Sequence, residues 1–376
     1  MEVKQIHEVV NGALQETLGN EVVLLEDLSN VVEMGQAVFN ASAAHIFNKN
    51  LVNRIGRLNF EAFEYTGRAP SVYMDGWEYG SIRQKITFVL AEATENESWE
   101  LQNGASYDPN IFTEPKVEVQ YFNGKTTFEV PISITEEMIK QSFASAQELN
   151  ALVSGIFLYI QNTLTIATDN LVMRTINNFI GETVHNDNEV RCVKLITKYN
   201  EENPEDQVTL DNCLRNLNFI KYMSFILKLY NSRIKVMSTL FNIGGKERFT
   251  TADRTHLVML DVVKAAADVY LQSDTFHNEL TALPNAEEVP YWQGSGKGYE
   301  LEDVSKIHVK TSAGNTVEQT GVAAIMFDRY ALGVSCLNKR TTTNYNGKAE
   351  FTNYWFKQDA QYFNDINENF VVFLLA

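Results

Sequence analysis

The hydrophobic positions change period several times along the chain, and each change marks an element. Val3, Ile6, Val9, Val10, Ala13 and Leu14 recur at helical spacing, which predicts a short amphipathic helix stopped by Gly19. A weaker stripe of Val32, Gln36, Phe39 and Ala43 predicts a second helix from near Ser29 to Gly56. These pieces offer each other little partner surface and read as an arm rather than a domain. From Arg83 the period falls to two. Arg83–Leu90 and Val117–Tyr121 alternate as half-exposed strands do, with a polar, turn-rich stretch from Glu92 to Glu114 between them. The segment therefore reads as a long two-stranded finger. Asn123 and Gly124, between VEVQYF and KTTFEV, predict a two-residue hairpin turn, because both positions must tolerate positive φ. A lone ribbon is marginal in water, so arm and finger are expected to find their missing burial on sister molecules.

The strongest period-3.6 signal follows. Ser145, Ala146, Gln147 and Glu148 form a capping box, and Leu149, Leu152, Val153, Ile156, Phe157 and Ile160 follow as one stripe. The pattern runs to Ile180, with Gly181 as the expected stop, giving a helix of roughly 50 Å. Its stretch Leu149–Thr168 carries no formal charge, but Asn150, Ser154, Gln161, Asn162, Thr163 and Thr165 interrupt it, so it is not read as a membrane span. Beyond it, RCVKLITKY reads as a strand, Leu210–Tyr230 as a helix, Arg254–Leu271 as a helix and KIHVKT as a strand. The last part returns to β-structure in VAAIMFDRYALGVSC, RTTTNYNGKAEFTNYWF and NFVVFLLA, the last read as a buried strand because apolar chain ends imply anchoring.

Composition narrows the class. A chain of 376 residues with 44% hydrophobic residues can build real cores, which excludes wholesale disorder. The net charge of −17 argues against a reader of nucleic acid, whose phosphates it would repel. Cys192, Cys213 and Cys336 are too few and too scattered for a disulfide framework or a zinc knuckle, and are expected to be buried and inert. His7, His45, His185, His256, His277 and His308 never pair at helical metal-site spacing. GSGKG at 294–298 lacks the first Gly and the Ser or Thr of a phosphate loop. Glu136 and Glu137 follow Thr135 and are expected to complement a helix N-terminus, and Asp328–Arg329 to form a partly buried ion pair. No catalytic, metal-binding or cofactor-binding residue is singled out, and the chain is not read as an enzyme.

The order of these pieces resembles the major capsid proteins of tailed bacteriophages, with the Hong Kong 97-type capsid fold in the α+β class. The resemblance covers essentially the whole chain. It is carried by Phe128–Met138 with Ser142 and Phe143 before the long helix, by Glu288–Gly294, by Asp328–Val334, and by the ending NYNGKAEFTNYWFKQDAQYFNDINENFVVFLLA, which is similar to members from phages of low-GC Gram-positive hosts. The resemblance implies an N-terminal arm at 1–56, an extended loop at 57–131 lying over a neighbouring subunit, a peripheral domain at 132–190 with the spine helix, an axial domain at 191–320, and peripheral strands at 321–376. It implies hexamers and pentamers of an icosahedral shell, assembled in the bacterial host cytoplasm with a scaffolding protein and a portal protein. The shell would enclose packaged double-stranded DNA without sequence-specific binding and without a membrane. Some relatives cross-link Lys to Asn; Lys85 and Lys125 lie in or near the loop, but no pattern marks a reactive pair. An encapsulin-like compartment shell of the same fold is the alternative, and a soluble enzyme with a site built only in the tertiary fold is the rival of another class.

Overall fold

A computed structural model describes residues 3–20, 22–61, 65–74, 82–89, 93, 95–273, 286–294 and 298–376. The chain opens with three helices, α1 (Val3–Leu18), α2 (Val31–Asn40) and α3 (Ala44–Glu61). Gly19, at φ +100°, stops α1 as expected, and its N–H donates to the Gln15 carbonyl. The second predicted helix is two, broken at residues 41–43. Its buried stripe is Val31, Gly35 and Val38, one position off the expected one, and Val32 is exposed. Gly56 lies inside α3, where a Cβ would strike the Phe356 ring, so it serves close packing and not termination.

Strands β1 (Arg83–Phe88) and β2 (Val117–Phe122) pair antiparallel into the expected ribbon. Asn123–Gly124 is not a hairpin turn. Strand β3 (Lys125–Thr135) leaves β2 and joins a different sheet. Gly124 is needed because the Tyr362 backbone carbonyl sits where a Cβ would go. Thr135 then caps α4 (Glu136–Ser142), its hydroxyl accepting from the Met138 N–H, with Glu136 and Glu137 in the first turn as expected.

The long helix α5 runs Ala146–His185. Its 40 residues correspond to roughly 60 Å. Ser145 caps it, accepting from the Glu148 N–H at 3.2 Å. Gly181 does not end it; a Cβ there would meet Val309, so the glycine admits that side chain. By length and composition α5 could cross a membrane, but its stripe Leu149, Val153, Ile156, Ile160 and Leu164 is buried against α1 and α3. Removing the cap with Ser145→Ala should cost about 1 kcal/mol, read as a shift of the denaturant midpoint; no shift would mean the helix start is held by packing alone.

RCVKLITKY is mostly helix, with only β4 (Cys192–Lys194) extended before α6 (Leu195–Glu202). The helix predicted from Leu210 begins later, at α7 (Leu217–Arg233), capped by Asn216. The predicted helix Arg254–Leu271 divides into β5 (Thr255–Leu260) and α8 (Asp261–Ser273). Its first half, THLVML, is buried on both faces, and such strands lose the alternation that would reveal them. The remaining strands are β6 (Ala286–Val289), β7 (Ile307–Lys310), β8 (Thr316–Gln319), β9 (Val322–Asp328), β10 (Leu332–Asn346), β11 (Phe351–Asn364) and β12 (Phe370–Leu374).

Two cores result. One sheet, β10–β11–β3, packs with α1–α3 and the first half of α5. A five-stranded sheet, β4–β12–β9–β5–β6, packs with the second half of α5, α7 and α8. The expected final strand, β12, is wholly buried between β4 and β9. This sheet joins strands on both sides of the boundary expected at 320/321, so that boundary does not separate two sheets. The arm is not waiting for a neighbour: Ile6, Val10, Leu14, Phe47, Leu51 and Ile55 bury themselves on α5 of their own chain.

Candidate assembly surfaces

The ribbon is built inside out. Alternation puts Arg83, Lys85, Thr87, Glu118, Gln120 and Phe122 on the half-buried face and Ile86, Phe88, Val117, Val119 and Tyr121 on the exposed one. The register sets Ile86 opposite Val119, Phe88 opposite Val117 and Gln84 opposite Tyr121, so the outward face is an apolar strip with Gln84 as its one polar member. Phe88 is 62% and Tyr121 66% exposed. Water alone would turn such a ribbon over. The inward face holds it through ion pairs instead.

Lys85 donates to Asp365 and, at 2.6 Å, to Glu368. Both carboxylates lie in the turn between β11 and β12, and the Asp365 side chain is fully buried. Arg248 also approaches Glu368, at 3.4 Å. Glu118 accepts from Lys246 at 2.5 Å. The Arg83 guanidinium lies 4.0 Å over the Phe363 ring, and burial lowers its pKa. Phe122 packs on the same ring at 5.2 Å.

The root of the finger is tied down separately. Asp169 on α5 takes Arg68 Nε at 2.9 Å, Arg68 Nη2 at 2.7 Å and the Arg68 N–H at 2.7 Å, and the Tyr65 hydroxyl donates to it at 3.0 Å. Burial, then the Asp169 charge, pushes the Tyr65 phenol well above its ordinary range. Ser71 donates through N–H and Oγ to Glu287 on β6, whose pKa burial raises. The Met74 N–H donates to the Val334 carbonyl on β10. The tip is different. Trp99 is 94% and Phe112 85% exposed. Root fixed, base clamped and tip free is the geometry of a strap offered to something else.

The residues weighed for chemistry do not converge. Among the described residues no three His, Cys, Asp or Glu side chains are placed to hold a metal ion. Most of the GSGKG loop and His277 lie outside the described residues. Asp328 is buried, but its partner is Arg254 at 3.4 Å, not Arg329, whose N–H instead donates to the Arg254 carbonyl. A strand ending at Asp328 points neighbouring side chains apart, which adjacency in sequence concealed. Lys125 lies 3.6 Å from Asp359 and Lys85 faces Asp365, so both loop lysines serve ion pairs within the chain. The three cysteines are buried as expected, although Cys213 sits on a short helical turn rather than a long helix. Burial pushes the Cys192 thiol up to about 12 and Cys213 to about 11. Ellman's reagent should therefore find no fast-reacting thiol in the native chain and three after denaturation; one fast thiol in the native state would contradict this burial.

The family model of the Phi29-like phage major capsid proteins matches residues 6–374. The chain belongs to this family. No curated protein sequence matches it. Among solved structures, the chain is similar to the capsid structure of Staphylococcus phage Andhra, at 9% identity over 84% of this chain and 85% of that one, with a TM-score of 0.51. The capsid structure of cyanophage P-SCSP1u matches at 8% identity over 84% and 90%, with a TM-score of 0.45. The Andhra likeness is one of fold, and the Hong Kong 97-type α+β architecture is consistent with it. As a Phi29-like major capsid protein the chain is a structural component of the virion that assembles with copies of itself. Sequence alone showed the ribbon but not which face turned inward. Asp365 and Glu368 carry no local signal that sets them apart, and Arg68 and Asp169 are about a hundred positions apart.

Proposed function

We propose that this capsid protein forms hexamers and pentamers of an icosahedral shell around packaged double-stranded DNA, assembled in the host cytoplasm with a scaffolding protein and a portal protein. It performs no catalysis. The observation that carries the proposal is the apolar strip on the outward face of a clamped ribbon, a surface that only another protein can cover. In this reading β3, β10, β11 and α5 form the peripheral domain, residues 191–320 the axial domain, and β9 and β12 join the two. The arm at 1–56 braces the spine helix of its own copy, while the extended loop at 57–131, held at its base and through the start of β3 on its own copy, reaches with its tip across to the next. An acidic wall suits a container, because it does not grip the phosphates it must let slide.

The test is negative-stain microscopy of the chain expressed with and without its companion head proteins. Closed particles are expected from the wild type. Phe88→Ser should leave a folded subunit and lose the particles, since the polar group would be buried unpaired at the contact. Normal shells from Phe88→Ser would remove the outward strip from the account. DNA-free particles filled with a protein cargo would favour the compartment alternative.

A further inference from the structure

Charge is distributed unevenly along this acidic chain, and two segments with exposed side chains are complementary. Glu92–Lys116, which spans the finger tip, carries six acidic residues and one basic, a net −5. Lys221–Phe249 carries six basic residues and one acidic, a net +5, in a chain whose total is −17; Lys246 and Arg248 are engaged by Glu118 and Glu368, while Arg233 and Lys235 stand exposed. Each segment also shows apolar side chains to solvent. In the tip these are Trp99, Leu101, Ile111 and Phe112. In the basic segment they include Phe225 on α7, and Val236, Met237 and Leu240 in the loop that follows, with Val236 65% exposed.

We propose that the finger tip of one copy docks on the α7–β5 loop of a second copy. The contact sets Trp99 and its apolar neighbours against Val236, Met237 and Leu240, and Glu95 and Glu100 against Arg233 and Lys235. This inference rests on the shell reading above and adds to it the partner surface of the tip. The occupant is another copy because one chain carries both halves of the match: the charges are opposite in sign, and each half brings apolar side chains for the other to cover. The tip does not fill this site on its own molecule, where Trp99 stays 94% exposed. Duplex DNA is the other polyanion in the system. The apolar side chains set among these cations would gain nothing from a phosphate backbone, whereas an aromatic, acidic tip satisfies both. Opposite fields of this kind steer encounter and fix register more than they add affinity, and the apolar side chains supply the attraction.

Charge reversal tests the contact. One variant carries Glu95→Lys and Glu100→Lys; another carries Arg233→Glu and Lys235→Glu. All four side chains are exposed, so both should fold, as far-ultraviolet circular dichroism will show. Sedimentation velocity at low salt should find self-association weakened at least about tenfold in each variant alone. Mixing the two in equal amounts should restore it, because each tip then meets a loop of opposite sign. Wild-type oligomers unchanged by either reversal, or a mixture that fails to recover, would overturn the tip contact and leave the shell reading standing. A wild-type chain that stays monomeric at every concentration, with and without its companion head proteins, would overturn both. Loss of DNA retention by the loop variant, with association unchanged, would reassign the loop to the packaged DNA and overturn the contact.

Discussion

Replacing Phe370 with alanine should destabilise the unassembled subunit by about 4 kcal/mol, among the largest losses for any single side chain. Phe370 opens β12, is fully buried, and stacks on Phe179 of α5 with ring centroids 4.1 Å apart and planes 18° from parallel. Phe327 of β9 lies on another side, with centroids 6.0 Å apart. One ring therefore joins the spine helix to two adjacent strands. Truncation removes its transfer free energy and leaves a hole that a helix and a sheet, both rigid, cannot close. Phe370→Leu keeps much of the volume and should cost less than half as much. Urea denaturation of both variants checks this. A loss under about 1 kcal/mol for the alanine would show that the sheet and helix collapse onto each other, and that the ring is not the wedge the packing implies.

Lys85→Met should cost about 3 kcal/mol and loosen the whole finger. The methionine preserves most of the stem, so packing changes little. What disappears is the cation hydrogen-bonded to the buried Asp365, leaving the Arg83 charge as a weaker neighbour, while Glu368 keeps Arg248. A buried carboxylate stripped of its direct partner is the expensive outcome, and the chain can relieve it by lifting the ribbon to admit water. Amides of 83–88 and 117–122 should then exchange at least about tenfold faster, while those of α5 do not change. Adding Asp365→Leu should recover most of the loss, since removing both members of a buried pair is often nearly neutral. If the double variant is as unstable as the single, the ion pair is not what holds the finger.

Elements with one wet face and one dry face were the legible ones. The ribbon, α1 and the α5 stripe all follow from period; the wholly buried final strand was legible only because an apolar chain end implies anchoring. Inside the chain, complete burial hid the period. THLVML alternates with nothing, so a strand and the helix after it merge into one apparent helix. Gly56, Gly124 and Gly181 look like punctuation but are contact points, with Phe356, Tyr362 and Val309 pressed where a Cβ would be. A glycine cannot announce which of its two uses applies until its neighbour across the fold is known. The ion pairs that place the finger were illegible for a related reason. Lys85 and Asp365 are 280 positions apart, and nothing local distinguishes a clamped lysine from a solvated one.

The position of β12 has a consequence for how the molecule is made. Val372 pairs with Cys192 on one side and Ile325 on the other, so an interior strand of the five-stranded sheet is the last of its strands to leave the ribosome. Until then β4 and β9 present open edges, and the pairing that closes them spans about 180 residues of chain, the kind of distant closure that slows folding. A nascent subunit in a crowded cell must therefore wait with two sticky margins uncovered. Premature termination before residue 370 would leave them uncovered permanently, and such fragments are the ones a host chaperone or protease should meet first.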